Sequence, residues 1–413
     1  MRNGMPCFIG LIFLGLSATT ACGQGFHQTE FVISFWVDPK MDEQADLRYK
    51  EIADANFSLV MGGFGASTPE QIRRQIALCE KYGMKVIVDS HAFPLDQLPA
   101  HAACLGYRLR DEPGANEFQS LCEEAAVIRK ARPGKLVFIN LFPIYASPAK
   151  DLQSKDYGDY VSQYMRIVQP ELLCTDYYPN FRSDDKGDPR SGYRQNLAVL
   201  KNAAEKDGLP FWIYFDAMAF GSYGDPSEAQ LRWQAYTAVA YGVKGVLYFC
   251  YQSPWWGDDL FFAKDGALID RNGRKTRHYE QAKRINGELK TLGPTLMKLS
   301  PVRTLHLEGA RSYDAQALAG SPLATISAPL KDDPALNLEL GVLKHADGRN
   351  SLILVNNDFT YTAWATVLFS VPQEKVVEID KQTGKEIPVY DESPKIPGLQ
   401  LSFDCAEGRV FLY

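Results

Sequence analysis

The chain has 413 residues, a length that fits two domains or one large barrel with an appended domain. Hydrophobic residues make up 46% and charged residues 23% of it, a composition that is typical of a folded globular protein and excludes a disordered or fibrous chain. The formal net charge is −6, which argues against the basic face of a general nucleic-acid-binding protein, so no nucleic acid partner is predicted.

The first 22 residues predict an export signal. Arg2 supplies a positive charge, the apolar run 8–16 is too short to span a bilayer, and the small residues 17–21 precede Cys22. The segment resembles a bacterial lipoprotein signal in which Cys22 would be lipidated and would attach the protein to a membrane. The expected location is the periplasm, the outer membrane through the lipid anchor, or the medium.

Residues 26–300 alternate short apolar runs with amphipathic helical stretches, such as the one that starts at Ser-Thr-Pro-Glu 67–70 and is closed by Gly83. Such an alternation over this length predicts a (β/α)8 TIM barrel. A doubly wound open sheet is the alternative, but it would need a glycine-rich turn where Asp-Pro-Lys stands at 38–40. Eight runs are expected to be parallel strands covered on both faces: 31–36, 57–61, 85–88, 106–109, 135–139, 171–174, 211–215 and 245–249.

After Pro301 the pattern changes to short alternating strands separated by turn residues. The expected strands are 302–307, 336–344, 351–356, 363–369, 376–379, 399–403 and 409–413. They predict an antiparallel β-sandwich over residues 301–413. The predicted fold class is therefore α/β, with a (β/α)8 barrel followed by a C-terminal antiparallel β-sandwich.

Three acidic residues follow predicted barrel strands. Glu112, Asp176 and Asp216 come after strands four, six and seven, each with aromatic residues close by. Because the active site of a TIM barrel lies at the C-terminal ends of its strands, these carboxyls are expected to meet at one mouth. Glycosidic cleavage needs two carboxyls, one protonated to serve the leaving oxygen and one ionised to attack or to activate water. All three are candidate catalytic residues.

Motifs at three strand ends resemble those of known glycosidases. Arg-Asp-Glu-Pro at 110–113 resembles the Asn-Glu-Pro signature of the large clan of retaining (β/α)8 glycosidases. Thr-Asp-Tyr-Tyr-Pro at 175–179 and Val-Leu-Tyr-Phe at 246–249 are similar to stretches of family 42 β-galactosidases. The resemblance implies that Glu112 is the general acid/base and that the protein hydrolyses O-glycosidic bonds of an oligo- or polysaccharide.

Two positions depart from the clan's pattern. Asp216 stands at or near the place of the strand-seven Glu nucleophile, and its side chain is shorter by about 1.5 Å. The shorter side chain could open the gap for a water and favour inversion; alternatively Asp176 is the partner and Asp216 binds a sugar hydroxyl. Asp111 replaces the Asn that the resemblance assigns to the sugar 2-hydroxyl, and it is a candidate substrate-binding residue.

Further candidates for substrate contact follow other strands. His91 and Asn140 could hydrogen-bond sugar hydroxyls. Aromatic rings stack on sugar faces, and the candidates for such a platform are Trp36, Tyr177, Tyr178, Tyr214, Tyr251, Trp255 and Trp256. The mechanism needs no cofactor, and the scattered histidines give no metal-ligand spacing, so no metal is expected.

The leading hypothesis is an exported glycoside hydrolase with a carbohydrate substrate. A second hypothesis is a non-catalytic glycan-binding lipoprotein, because the strand-seven carboxyl differs from that of the clan. A third is a polysaccharide lyase or another barrel enzyme.

Overall fold

The computed structural model describes Met1 and residues 25–180, 189–256 and 260–413. The predicted signal and Cys22 lie outside the described residues. No helix within the described ranges has both the length and the hydropathy of a transmembrane span.

Eight parallel strands form the barrel, and each overlaps one of the eight predicted runs. Most of them consist largely of consecutive apolar residues, the pattern expected of strands that are covered on both faces. The strands are β1 (Val32–Phe35), β2 (Leu59–Met61), β3 (Lys85–Asp89), β4 (Cys104–Asp111), β5 (Leu136–Asn140), β6 (Leu173–Asp176), β7 (Phe211–Asp216) and β8 (Gly245–Phe249).

Two four-stranded sheets, in the orders β1-β8-β7-β6 and β2-β3-β4-β5, make up the barrel wall. The sheets join at two seams. The Ser58 amide donates to the Ile33 carbonyl at 3.0 Å, and the Leu141 amide donates to the Cys174 carbonyl at 2.9 Å. These bonds link β1 to β2 and β5 to β6, so the wall closes and the predicted barrel is confirmed.

The helices pack around this wall. They are α1 (Ala45–Asp54), α2 (Pro69–Lys81), α3 (Phe118–Ala131), α4 (Tyr157–Val168), α5 (Pro189–Asp207), α6 (Glu228–Ala240) and α7 (Arg277–Leu296). The predicted start of α2 is confirmed, because the Thr68 side chain accepts from the Gln71 amide at 3.3 Å with Pro69 at the first helical position.

One β/α unit lacks its α-helix. Between β3 and β4, where every residue is described, the chain forms only a short 3-10 turn at Ser90–Ala92 and then an irregular segment. Pro94 and Pro99 fall in that segment, and proline removes a backbone donor and clashes with a preceding helical turn. The expectation of eight complete β/α units is therefore wrong at the third unit.

The loop between β7 and α6 is fixed by a cluster of charges. Asp225 accepts from His278 Nε2 at 3.0 Å and from Arg277 Nη2 at 2.6 Å, and Lys264 also bonds its carboxyl. Although burial opposes it, bonding to these three basic groups holds the pKa of Asp225 below its usual range. The cluster fastens this mouth loop to the start of α7.

The C-terminal part is antiparallel, as expected. Its strands are β9 (Leu299–Ala310), β10 (Ser312–Tyr313), β11 (Leu323–Ser327), β12 (Leu336–His345), β13 (Asn350–Asn356), β14 (Ala363–Phe369), β15 (Val377–Ile379), β16 (Glu386–Pro388), β17 (Leu399–Phe403) and β18 (Gly408–Leu412). They form a four-stranded sheet, β10-β11-β14-β17, and a six-stranded sheet, β16-β15-β18-β13-β12-β9. Alternate side chains from both sheets, such as Val367 and Leu354, share one core.

This domain docks on α6. Trp233 Nε1 donates to Asn357 Oδ1 at 2.7 Å, and the Tyr241 hydroxyl donates to Glu339 Oε1 at 3.3 Å. Gly341 lies so close to the helix that a Cβ there would collide with the Ala240 carbonyl. The close backbone approach and the buried polar bonds fix the domain against the barrel.

Candidate active site

Polar side chains from three neighbouring strands meet at the mouth of the barrel. Asn140, at the end of β5, donates from Nδ2 to Asp111 Oδ1 and to Asp176 Oδ1, both at 3.1 Å. Asp111 ends β4 and is paired with Asn140 in the sheet, and Asp176 ends β6. One amide group therefore bridges two carboxyls that would otherwise repel each other.

Glu112 follows directly after β4 in an unusual backbone conformation. Its φ is +48°, in the left-handed region that costs energy for a residue with a side chain. Its amide donates to the Asn140 carbonyl at 2.8 Å, and the next carbonyl, that of Pro113, accepts from the Tyr160 hydroxyl at 2.7 Å. These bonds on both sides hold the turn that presents the Glu112 carboxyl to the cleft.

The carboxyls of Glu112 and Asp176 are in hydrogen-bonding contact. Burial, followed by the charges of Asp176 and Asp111, raises the pKa of Glu112 to about 9. Burial and the charge of Asp111 raise the pKa of Asp176 to about 7, although Asn140 and Tyr178 stabilise its ionised form by hydrogen bonding. The two carboxyls titrate as a pair that retains a proton at neutral pH.

Asp111 is open to solvent at the mouth but is surrounded by protein on its other sides. The resulting loss of water raises its pKa, while Asn140 and the Arg108 charge oppose the increase. Asp111 thus adds negative potential beside the pair without being sequestered from water.

Asp216 lies at the end of β7 and is 0% exposed. Its Oδ2 accepts from Asn180 Nδ2 at 2.7 Å, while Oδ1 has no hydrogen-bond partner among the described residues. Burial raises its pKa to about 7. Gln234 Nε2 donates to its backbone carbonyl at 3.1 Å and so anchors the strand end.

Aromatic rings form a wall on one side of the mouth. Trp36 packs edge-on against Phe64 at 5.1 Å, and Phe64 stacks on Trp256 at 5.3 Å with 9° between the planes. Trp255 contacts Trp256 at 5.1 Å. Trp256 is 41% exposed, whereas Trp36 is buried. Trp256, at the outer end of the wall, therefore has part of its ring open to solvent.

Phe64 is a member of this wall that the sequence interpretation missed. It belongs to the glycine-rich loop after β2, which is held by Asp38: Oδ1 accepts from the Phe64 amide at 2.9 Å and from the Gly65 amide at 3.1 Å. A Cβ at position 65 would collide with the Pro39 carbonyl, so glycine is required there. Asp38 is fully buried, which raises its pKa to about 6 despite these bonds.

Arg108 is a second missed residue. Its guanidinium lies 5.1 Å from the Trp36 ring and 5.2 Å from the Phe64 ring, and Nη2 pairs with Asp89 Oδ2 at 3.2 Å. It occupies space that a Cβ at Gly63 would fill. Arg108 therefore braces the aromatic wall and places a positive charge near the carboxyls.

Three further predicted residues lie at the mouth. His91 is on the short 3-10 turn after β3, where its Nδ1 lies 2.7 Å from Asp89 Oδ1 and its ring is exposed. Tyr178 packs against Phe249 at 5.3 Å and bonds the Asp176 carboxyl. Tyr214 is buried beneath Trp36 at 5.4 Å, so it supports the wall from below.

Two predicted aromatic contacts are corrected by the structure. Tyr251 is fully buried outside the barrel wall, 4.6 Å from Phe35. Tyr177 is buried against Tyr193 of α5 at 5.7 Å. Both rings belong to the layer between strands and helices, so neither lines the cleft.

No cluster of three or more His, Cys, Asp or Glu side chains suited to a metal ion occurs in the part of the chain that the structure describes.

Comparison with solved structures gives the same overall fold. A β-galactosidase from Bacillus circulans sp. alkalophilus aligns with a TM-score of 0.59 and 10% identity over 93% of this chain and 99% of its own. A catalytic mutant of a GH42 β-galactosidase from G. stearothermophilus gives 0.58 and 9% over 93% and 98%. The predicted resemblance to TIM-barrel glycosidases, with family 42 among them, is confirmed at the level of the fold.

Other matches are partial. The β-galactosidase from the Antarctic haloarchaeon Halorubrum lacusprofundi aligns with a TM-score of 0.50 and 14% identity over 64% of this chain. This chain spans 59% of that enzyme and 60% of the β-galactosidase from Marinomonas ef1. No protein-family model matches the sequence. No curated protein matches it.

Proposed function

We propose that the protein is a glycoside hydrolase that acts on an oligo- or polysaccharide. The observation that carries this proposal is the contact between Glu112 and Asp176 at the barrel mouth, beside the aromatic wall of Trp36, Phe64, Trp255 and Trp256. A carboxyl that stays protonated at neutral pH, next to ring faces that can stack on a sugar, is the arrangement that acid-catalysed glycosidic cleavage requires.

Glu112 is the proposed general acid. With its pKa raised to about 9, it holds a proton that it can give to the leaving oxygen as the bond from that oxygen to the anomeric carbon breaks. Asp176 contacts Glu112 directly, which is closer than the ~5 Å or more that separates two carboxyls acting from opposite sides of a bond. Its proposed role is therefore to keep Glu112 protonated.

Asp216 is the proposed second carboxyl. Its Oδ1 has no hydrogen-bond partner among the described residues, and in the proposed role this atom would attack the anomeric carbon or take the proton of an attacking water. Attack by Asp216 leads to retention through a covalent intermediate, and attack by water leads to inversion. Asn140 and Asp111 are proposed to bond sugar hydroxyls, and Trp255 and Trp256 to stack on a sugar ring.

The test is the Glu112→Gln variant, with Glu123→Gln on the exposed side of α3 as its matched control. Removing a general acid lowers turnover about 10²–10⁴-fold when the leaving group is a sugar, so oligosaccharide hydrolysis should fall by that factor only in Glu112→Gln. A panel of galacto-, gluco- and manno-oligosaccharides identifies the substrate. Turnover of Glu112→Gln at the wild-type rate would remove Glu112 from the mechanism.

One observation favours the second candidate, glycan binding without hydrolysis. Asp216 is 0% exposed and is shorter than the Glu that the resemblance leads one to expect at this strand end. If the protein only binds, calorimetry should detect an oligosaccharide that no incubation cleaves, and Asp216→Asn should bind it as tightly as the wild type does.

We also propose export with a lipid on Cys22, supported by the apolar run and small residues that precede it. When cells are grown with labelled palmitate, the protein should incorporate the label, and Cys22→Ser should abolish this incorporation.

A further inference from the structure

The C-terminal domain contains a cavity of about 240 Å³ that the proposed reaction does not use. It lies between the start of β12 and the loop that joins β13 to β14. The Asn357 amide of that loop donates to the Asn337 carbonyl of β12 at 2.9 Å, which links the two sides. The cavity is thus formed by two segments that are already bonded to each other.

The loop is preorganised by its own side chains. Asp358 Oδ1 accepts from the amides of Thr360 and Tyr361 at 2.7 and 2.9 Å. Asn356 Nδ2 donates to the Tyr361 carbonyl at 3.0 Å and to the Asp404 carbonyl at 3.0 Å. Because the loop is held by its own hydrogen bonds, a ligand would not have to order it, and less affinity would be lost on binding.

The lining combines an aromatic face with polar groups that accept hydrogen bonds. Tyr361 is 68% exposed, and Trp364 is half-buried beside it on the outer face of β14. Asn337 Oδ1 is buried and has no hydrogen-bond partner in the described part of the protein. A buried acceptor without a donor carries a desolvation cost that a ligand hydroxyl can remove.

The charge of the lining restricts the ligand. Asp333 and Asp358 line the cavity, and no Lys, Arg or His is among the described residues that line it. The lining therefore disfavours an anionic ligand. Asp333 Oδ2 already accepts from the Leu330 amide at 2.8 Å, and Asp358 caps its own loop, so both carboxylates serve the backbone rather than a cation.

From this cavity we infer a second glycan-binding site, which takes an uncharged sugar unit that stacks on Tyr361 and donates a hydroxyl to Asn337 Oδ1. The choice of a glycan rests partly on the proposed function, since a polysaccharide bound here is held on the same molecule as the barrel, which raises its effective concentration there. The site binds and does not cleave. Its contribution is greatest on long polysaccharides and absent on substrates of one or two sugars.

The experiment is affinity electrophoresis in gels that contain β-1,4-galactan, β-1,4-mannan or β-glucan, with polygalacturonate as an anionic polymer. All proteins carry Glu112→Gln so that the polymers survive. Tyr361→Ala and Asn337→Ala are compared with Tyr390→Ala, which removes another exposed tyrosine, 73% exposed, that does not line the cavity. Thermal unfolding checks that each variant is folded. The Oδ1 atom that Asn337→Ala removes has no hydrogen-bond partner among the described residues.

We expect at least one neutral polymer to retard the parent and Tyr390→Ala proteins equally, and its dissociation constant to rise about tenfold in Tyr361→Ala. Asn337→Ala should weaken binding in the same gel, and none of the proteins should be retarded by polygalacturonate. Equal retardation of Tyr361→Ala and its parent, or no retardation in any neutral gel, overturns the second site. In a protein that keeps Glu112, Tyr361→Ala should hydrolyse disaccharides at the wild-type rate. This measurement distinguishes loss of the second site from loss of the proposed activity.

Discussion

The replacement Asp176→Asn tests the electrostatic basis of the site. It keeps the size of the side chain and its place beside Asn140, but it removes the charge that contacts Glu112. Burial is the first cause of the raised pKa of Glu112 and the charge of Asp176 is the second, so the variant should lower this pKa without returning it to the usual value.

The magnitude follows from the contact. Two unit charges about 4 Å apart in an effective dielectric of about 20 repel by roughly 4 kcal/mol, which corresponds to about three pH units. Glu112 is only partly buried, and water reduces this repulsion. We therefore expect the pKa of Glu112 to fall by about two pH units, from about 9 in the wild type to near neutrality.

The assay is a pH titration of the side-chain carboxyl carbons in protein labelled with ¹³C-glutamate, with the Glu112 signal assigned by its loss in Glu112→Gln. The alkaline limb of kcat/KM should move with the same midpoint, because the acid must be protonated to act. Asp111→Asn is the matched control and should lower the pKa less, because the Asp111 charge ranks after that of Asp176. A Glu112 midpoint that does not move in Asp176→Asn, or that moves no more than in Asp111→Asn, would refute the reasoning.

Two further predictions concern the wall and the mouth loop. Phe64→Ala should raise KM for oligosaccharides about tenfold with kcat nearly unchanged, since it removes a stacked ring and leaves the carboxyls in place. Phe261→Ala, at an exposed ring outside the wall, is the control, and a loss confined to kcat would contradict the assignment. Asp225→Asn should lower the free energy of unfolding by about 1–2 kcal/mol at pH 7 in urea titrations. Because the pKa of Asp225 is lowered in the folded state, this difference should be constant above the usual carboxyl range and shrink as the pH falls below about 4; a difference that persists in acid would exclude the charge as its cause.

The barrel could be predicted because its signal is local. Most of the strands contain a run of consecutive apolar residues, and such runs mark strands that are covered on both faces, as 211–215 shows in β7. The absence of a helix after β3 could also have been predicted from the sequence. Pro94 and Pro99 lie five residues apart there, and a helix could not have passed through both.

The errors among the aromatic candidates have a geometric cause. Successive side chains of a strand point to opposite faces, so if Asp176 faces the cleft, Tyr177 faces the helices, and the structure shows this arrangement. This alternation between the two faces of the strand can be read from the sequence alone. The position of Tyr251 was not, since it depends on how the chain turns after β8.

Phe64 and Arg108 could not be found from the sequence because their roles depend on contacts between distant segments. Phe64 sits in a loop whose path is set by Asp38, 26 residues earlier, through two backbone amides. In the sequence, nothing distinguishes Arg108 from any other polar residue of a strand. Its role depends on Gly63, which leaves the space that the guanidinium fills. Close approaches of this kind are set by the closed barrel and not by any local pattern.

The balance of charge at the mouth connects the fold to the chemistry. Arg108 is already paired with Asp89, so its charge only partly offsets the carboxyls of Asp111, Glu112 and Asp176. The cluster lowers its energy by keeping a proton on the Glu112–Asp176 pair, because a second ionisation would place two contacting negative charges in a partly dry cleft. A proton that the fold retains for electrostatic reasons is also one that can be given to a leaving group when a bound sugar displaces the remaining water. Burial therefore has two effects: it makes ionisation of these carboxyls unfavourable in the folded protein, and it keeps Glu112 protonated so that it can act as a general acid.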